Sequence, residues 1–170
     1  EVAIASRYLE EGDPEKSISY LRDTTVFASE IDREIAIATM LMGMEQWGAA
    51  VEGLRSVGDP LQDSGEALLL LAISLLEEPV RDVQASKQAL DRVTEICGDQ
   101  PGFLRRVASI AMADAELRKD ARSYINMLGE LASDQAEIMR LADTLYQLPA
   151  GEGVPLDLQE RGRRITRRSD

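Results

Sequence analysis

Reactive side chains are scarce in this sequence. None of its 170 residues is histidine, the usual general base near neutral pH and the commonest transition-metal ligand. Ser-His and Cys-His nucleophilic systems are therefore excluded within the chain. Cys97 is the single cysteine, so there is no partner for an internal disulfide and no second thiol for a metal site. A reactive thiol needs a nearby cation or a helix N-terminus to lower its pKa; a small, half-buried side chain is the expectation here. What remains is carboxylate and lysine chemistry. Glu10, Glu11, Asp13 and Glu15 cluster in one stretch, and Glu77, Glu78 and Asp82 in another. Such runs ordinarily solvate turns. As a recruiting surface they would take a basic partner, with an affinity that falls with salt. No isolated polar pair sits inside an apolar run, so no catalytic residue, metal ligand or cofactor is expected.

Charge is unevenly placed. The final ten residues, "RGRRITRRSD", hold Arg161, Arg163, Arg164, Arg167 and Arg168 against one acid. The rest of the chain carries 14 basic and 30 acidic residues (19 less 5, and 31 less 1), a formal charge of −16. An acidic body repels nucleic-acid phosphates, so nucleic acid is not an expected partner, and only the basic arm could recruit an anionic surface such as a membrane. Leu158 and Ile165 lie seven apart within that arm, a weakly amphipathic spacing. A solvated tail, self-docking on the acidic body, and lipid or nucleic-acid contact are the three readings for it.

The elements that would position these groups are helical. Aromatic residues make up only 4% of the chain and hydrophobic residues 44%, a composition that favours helices over strands and suffices for a core. The longest apolar stretch, "ALLLLAISLL" at 67–76, is well short of the roughly 18 residues of a membrane span and reads as a buried helix. The expectation is a soluble protein of the cytoplasm or the bacterial periplasm. The chain begins at Glu1 with neither a methionine nor a charged-then-apolar leader, the pattern of an excised domain or a mature form.

In "YLEEGDPEKSISYL", residues 8–21, Gly12-Asp13-Pro14 interrupts good helix and helix resumes at once. The pattern predicts the turn of a helical hairpin. Before the turn, Ile4 and the small Ala5 are followed by Tyr8; after it come the small Ser17 and the large Leu21. The arrangement recurs as Ile37, Ala38 and Leu41, a break near Glu45, then Ala50 and Leu54. It recurs again as Leu71, Ala72 and Leu75, a longer corner at "EEPVRD", then Ser86, Leu90 and Val93. A fourth, slipped copy has Ala108, Ser109 and Met112, a turn at "ELRKD", then Ala121, Ile125 and Leu128. Gly12 to Glu45 is 33 residues and Glu45 to Pro79 is 34. A helix pair with one apolar face must stack on a neighbour to bury it, and small residues let the axes approach.

This pattern resembles the tetratricopeptide repeat family over roughly residues 1–130. The resemblance rests on the large-small pairs Ile4-Ala5, Ile37-Ala38 and Leu71-Ala72, on Tyr8, Leu41 and Leu75 four after the first of each pair, and on Ser17, Ala50 and Ser86 opening the second helices. Trp47 stands where the family often has an aromatic, whereas Glu1 and Glu34 stand where it has its early large aromatic. The resemblance implies an all-α fold: a right-handed superhelical stack of antiparallel helix pairs, an α-solenoid, whose first helices line a concave surface.

The expected organisation is a helical-repeat domain over 1–148, with about four helix pairs and a C-terminal capping helix, then a loop and basic arm over 149–170. Ser133 or Asp134 would cap that last helix, with Ile138, Leu141, Leu145 and Leu148 along one face. Ile35, Thr39 and Met42, then Leu69, Ile73 and Leu76, then Phe103, Arg106 and Ile110 lie off the packing faces of the successive first helices. They are the candidate partner-binding residues of an apolar groove. The competing readings for them are ordinary core, cover by the arm or by a second copy of the protein, and a small apolar ligand. Met40, Met42 and Met44 suit an adaptable contact surface. The expected function is a non-catalytic interaction module, an adaptor, scaffold or assembly chaperone that takes a peptide or helix of another protein. A regulatory or sensor domain of a larger signalling or transcriptional protein is the alternative, and an enzyme is the third class.

Overall fold

The computed structural model describes residues 4, 5, 7, 8, 11–131 and 135–147 of the chain. Every regular element among them is helical. The eight helices are α1 (Pro14–Asp23), α2 (Glu30–Gly43), α3 (Trp47–Ser56), α4 (Gly65–Ser74), α5 (Val83–Cys97), α6 (Pro101–Ala113), α7 (Arg118–Leu131) and α8 (Gln135–Gln147). Residues 4, 5, 7 and 8 are helical too, and Asp59–Asp63 forms a 3-10 turn. The chain divides into two compact units, one ending at Arg81 and the other beginning at Asp82. The boundary falls within the expected third hairpin, at the corner "EEPVRD": α4 belongs to the first unit and α5 to the second.

The turn at Gly12-Asp13-Pro14 is built as its residue types dictate. Gly12 adopts φ 80°, a left-handed conformation that glycine reaches without a Cβ clash. The Asp13 amide then donates to the Tyr8 carbonyl at 2.9 Å, closing the preceding helix in a Schellman motif. The Asp13 carboxylate caps α1 by accepting from the Lys16 amide at 3.0 Å, and Pro14 occupies the first turn, where its missing N–H costs nothing. The second hairpin repeats the device 33 residues on. Glu45 takes φ 58°, and the Gln46 amide donates to the Leu41 carbonyl at 2.9 Å. Here a glutamate occupies the conformation that glycine occupies in the first copy.

Small residues lie where the helices meet. Ser17, Ala50 and Ser86 are each 0% exposed, as is Ala72, and Ala5 and Ala38 are 2% exposed. Ser17 Oγ donates to the Ala5 carbonyl at 2.6 Å and lies 3.0 Å from Met40 Sδ, tying α1 to the helix before it and to α2. In the first unit α2 packs on α1, α3 and α4. Helix α4, begun by the Ser64 hydroxyl accepting from the Ala67 amide, is buried on nearly every side, from Gly65 through Ser74.

In the second unit α6 packs on α5 and α7, and α7 on α8. Asp82 caps α5 by accepting from the Ala85 amide at 2.9 Å. The fourth hairpin shows a register difference. Val107 and Ala108, both 0% exposed, form its buried large-small pair, while Ser109 is half-buried. The expected pair, Ala108-Ser109, is one residue late. Its second helix agrees with expectation, with Ala121, Ile125 and Leu128 buried. Tyr124 Oη donates to Asp91 Oδ1 at 2.6 Å, and Lys87 Nζ lies 2.5 Å from Asp91 Oδ2 and 3.8 Å from Asp120 Oδ1. The face of α8 expected to pack is half-buried at Ile138 and buried at Leu141. Its proposed caps Ser133 and Asp134, together with Leu148 and the whole loop and arm of 149–170, lie outside the described residues.

Candidate functional site

The nine candidate groove residues do not share one environment. Leu69, Leu76 and Ile110 are 0%, 4% and 2% exposed; they are core, and no open apolar floor is formed by them. The reason is local: helices α4 and α6 are apolar on several faces, so the side chains off the packing stripe are buried too. Ile35, Met42, Ile73 and Phe103 are half-buried, and Thr39 and Arg106 are exposed. The Thr39 hydroxyl is already bonded to the Ile35 carbonyl of its own helix at 2.7 Å. Arg106 holds its guanidinium over the Phe103 ring, 5.9 Å from the centroid. Met40 and Met44 are half-buried. The arginines at 161, 163, 164, 167 and 168 lie outside the described residues.

The structure opens a cleft elsewhere in the first unit, with a volume of about 420 Å³, between α1, α2 and α3. None of the nine candidates lines it. Its floor is apolar: Ile18 from α1, Ile37 and Leu41 from α2, Ala49 from α3. Around the floor stand Glu15, Asp23, Glu34 and Glu52, with Arg22 as the one basic lining side chain among the described residues. The charge of the lining is therefore −3, four acids against one base.

Glu34 is the unusual member. At 8% exposed it is a buried glutamate, and its carboxylate makes no hydrogen bond and no ion pair with any described residue. Burial raises its pKa above the ordinary carboxylate value; the charges of Arg22 and Arg33 work against the rise and that of Glu30 adds to it. Room for the carboxylate comes from α3. A Cβ placed on Gly53 would stand 3.0 Å from Glu34 Oε2, closer than carbon and oxygen sit at rest. Glycine in the interior of a helix costs about 1 kcal/mol against alanine, and here it leaves the space that the carboxylate fills.

The acidic runs noted in the sequence serve the turns. Asp13 and Asp82 are caps, and Glu11 pairs with Arg7 at 2.9 Å on the exposed surface. Glu77 is half-buried, and burial raises its pKa against the pull of Arg81. Cys97 is buried, and desolvation pushes its thiol pKa up, away from reactivity. Among the described residues no group of three or more carboxylate or thiol side chains is placed to hold a metal ion. No described helix is long and apolar enough to cross a membrane.

The cleft was not legible in the sequence pattern, because it is bounded by faces of α1 and α3 that look like ordinary solvated surface. Glu34 was the available signal, an acid on an otherwise apolar helix face. No protein-family model matches the chain, and neither a curated protein nor a solved structure matches it.

Proposed function

We propose that this chain is a non-catalytic interaction module, a helical-repeat adaptor or scaffold of tetratricopeptide-like stacking, and that its first unit holds a segment of another protein. The observation that carries this reading is the cleft: apolar floor, acidic rim and about 420 Å³ of open volume between three helices. An apolar floor takes a partner's side chains while the rim stays wet, the arrangement of a protein interface in miniature. The repeated turn at Gly12 and Glu45, with small buried residues at the helix contacts, supports the stacked-hairpin part of the reading.

Peptide display on the folded protein tests it. Enriched sequences should lose binding to Ala49→Trp, which fills the cleft from an exposed position, and keep binding to the Met42→Glu, Ile73→Glu double variant. The reverse pattern would put the partner on the faces of α2 and α4 instead. A library that yields no peptide sensitive to either variant would end the proposal.

A further inference from the structure

We infer that the cleft between α1, α2 and α3 is a subsite for an arginine side chain of the partner segment, with the guanidinium paired to Glu34 and the alkyl stem lying on Ile18 and Ala49. The inference rests on the interaction-module reading above and names the chemistry that the partner brings.

Three observations converge on it. First, Glu34 is 8% exposed, lines the cleft, and meets no donor among the described residues. A carboxylate so placed is partly desolvated and is offset only by the charges of Arg22 and Arg33, neither of them in an ion pair with it, so a cation entering the cleft would stabilise it further. Second, the Glu34 carboxylate fits against α3 where residue 53 is glycine: a Cβ there would stand 3.0 Å from Glu34 Oε2. Third, the lining carries four acids, Glu15, Asp23, Glu34 and Glu52, against Arg22 alone. The field of the cleft therefore draws a cation in before contact is made.

Arginine fits better than lysine. Its guanidinium is more weakly hydrated, stays charged in a desolvated site and offers a planar fork to a carboxylate, whereas an ammonium is a strongly hydrated point charge. The floor suits its stem, because long basic side chains lay their methylenes along apolar surface. The cleft, at about 420 Å³, exceeds one side chain, so a neighbouring residue of the segment enters with it. Arg22, the resident cation, competes for the same field and lowers the site's appetite for another.

The test uses N-acetyl-arginine-N-methylamide as the probe and the citrulline analogue, its neutral isostere, as the control, both titrated into the whole chain and followed by backbone amide shifts. Saturable shifts at Ile18, Ala49 and Gly53 are expected with the arginine probe. Citrulline should bind at least about ten-fold more weakly, and Glu34→Gln should bring the arginine probe down to the citrulline level. Arg22→Gln should tighten the arginine probe, an effect opposite in sign that loss of folding cannot mimic. Equal affinity for the two probes, indifference to Glu34→Gln, or shifts spread evenly over the acidic surface would each overturn the inference. Displayed peptides that need the open cleft but carry no arginine would also overturn it while leaving the interaction reading intact; a library with no cleft binder removes that reading first.

Discussion

Tyr124 on α7 donates its phenolic proton to Asp91 on α5 across 2.6 Å, and the two residues are 33 positions apart in the sequence. Lys87 and Asp120, the next pair along the same two helices, are also 33 apart and 3.8 Å from each other. The two contacts tie α5 to α7 within the second unit. Tyr124 is 4% exposed, and burial, followed by the Asp91 hydrogen bond and the charges of Asp91 and Asp120, pushes its pKa above the ordinary value of 10. Tyr124→Phe should cost about 1.5 kcal/mol near neutral pH, the range for a hydrogen bond to a charged acceptor. Because the folded-state pKa is raised, that stabilisation is complete below pH 10 and is lost as pH rises above it. Urea midpoints of the two proteins should therefore converge on the alkaline side. A constant gap would show that the phenol's proton is not what α5 and α7 share.

Glu45 supplies the second prediction. Its φ of 58° is the left-handed region, which costs a non-glycine residue roughly 1–2 kcal/mol. Glycine carries an extra entropic cost in the unfolded chain, so the net gain from Glu45→Gly should be about 0.5–1 kcal/mol. Removing Glu45 also relieves its repulsion of the half-buried Glu77. Chemical denaturation decides it. A destabilised variant would mean that the Glu45 side chain makes a compensating contact.

The stacking contacts give the third. Ala38 and Ala50 are 2% and 0% exposed, and α2 packs on three neighbouring helices. Ala38→Trp should cost at least about 2 kcal/mol through overpacking, whereas Ala49→Trp, one residue before Ala50 but exposed, should cost far less. Equal denaturation midpoints for these two variants would contradict the close approach at Ala38.

The parts of this fold that were legible in the sequence are those written in residues with few conformational alternatives. Gly12-Asp13-Pro14 has one economical conformation, and Ala5, Ser17, Ala38, Ala50, Ala72 and Ser86 stand out because a small side chain at a regular interval has little reason to recur except close packing. Periodicity fails where it carries no contrast. In "ALLLLAISLL", residues 67–76, every face is apolar, so Leu69 and Leu76 could not be separated from Leu71 and Leu75; all four are buried. The same uniformity in "VASIAMA" hid the one-residue shift at Val107-Ala108. The cleft was beyond reach for another reason: its existence depends on how α1 and α3 stand against α2, and no local pattern encodes that angle.

Glu34 gives the last prediction, and it couples stability to binding in opposite directions. Below its ordinary value of 4.5 the carboxyl is protonated in both the folded and the unfolded chain and carries no penalty. As pH rises through that value the unfolded chain ionises first, because burial raises the folded-state pKa, and stability falls until Glu34 ionises in the fold as well. Glu34→Gln should therefore be more stable than the parent near pH 7, with the advantage fading as pH falls below 4.5. Gly53→Ala adds a control, since a Cβ there stands 3.0 Å from Glu34 Oε2. It should be better tolerated when Glu34 is shortened to alanine, with a coupling of about 0.5 kcal/mol or more in a double-mutant cycle. A residue kept only for the fold would not be stabilising when replaced by its neutral isostere. Urea titrations of the parent and Glu34→Gln near pH 7 and below pH 4.5 read the sign directly, and a parent more stable than the variant near neutrality would mean that Glu34 already has its cation.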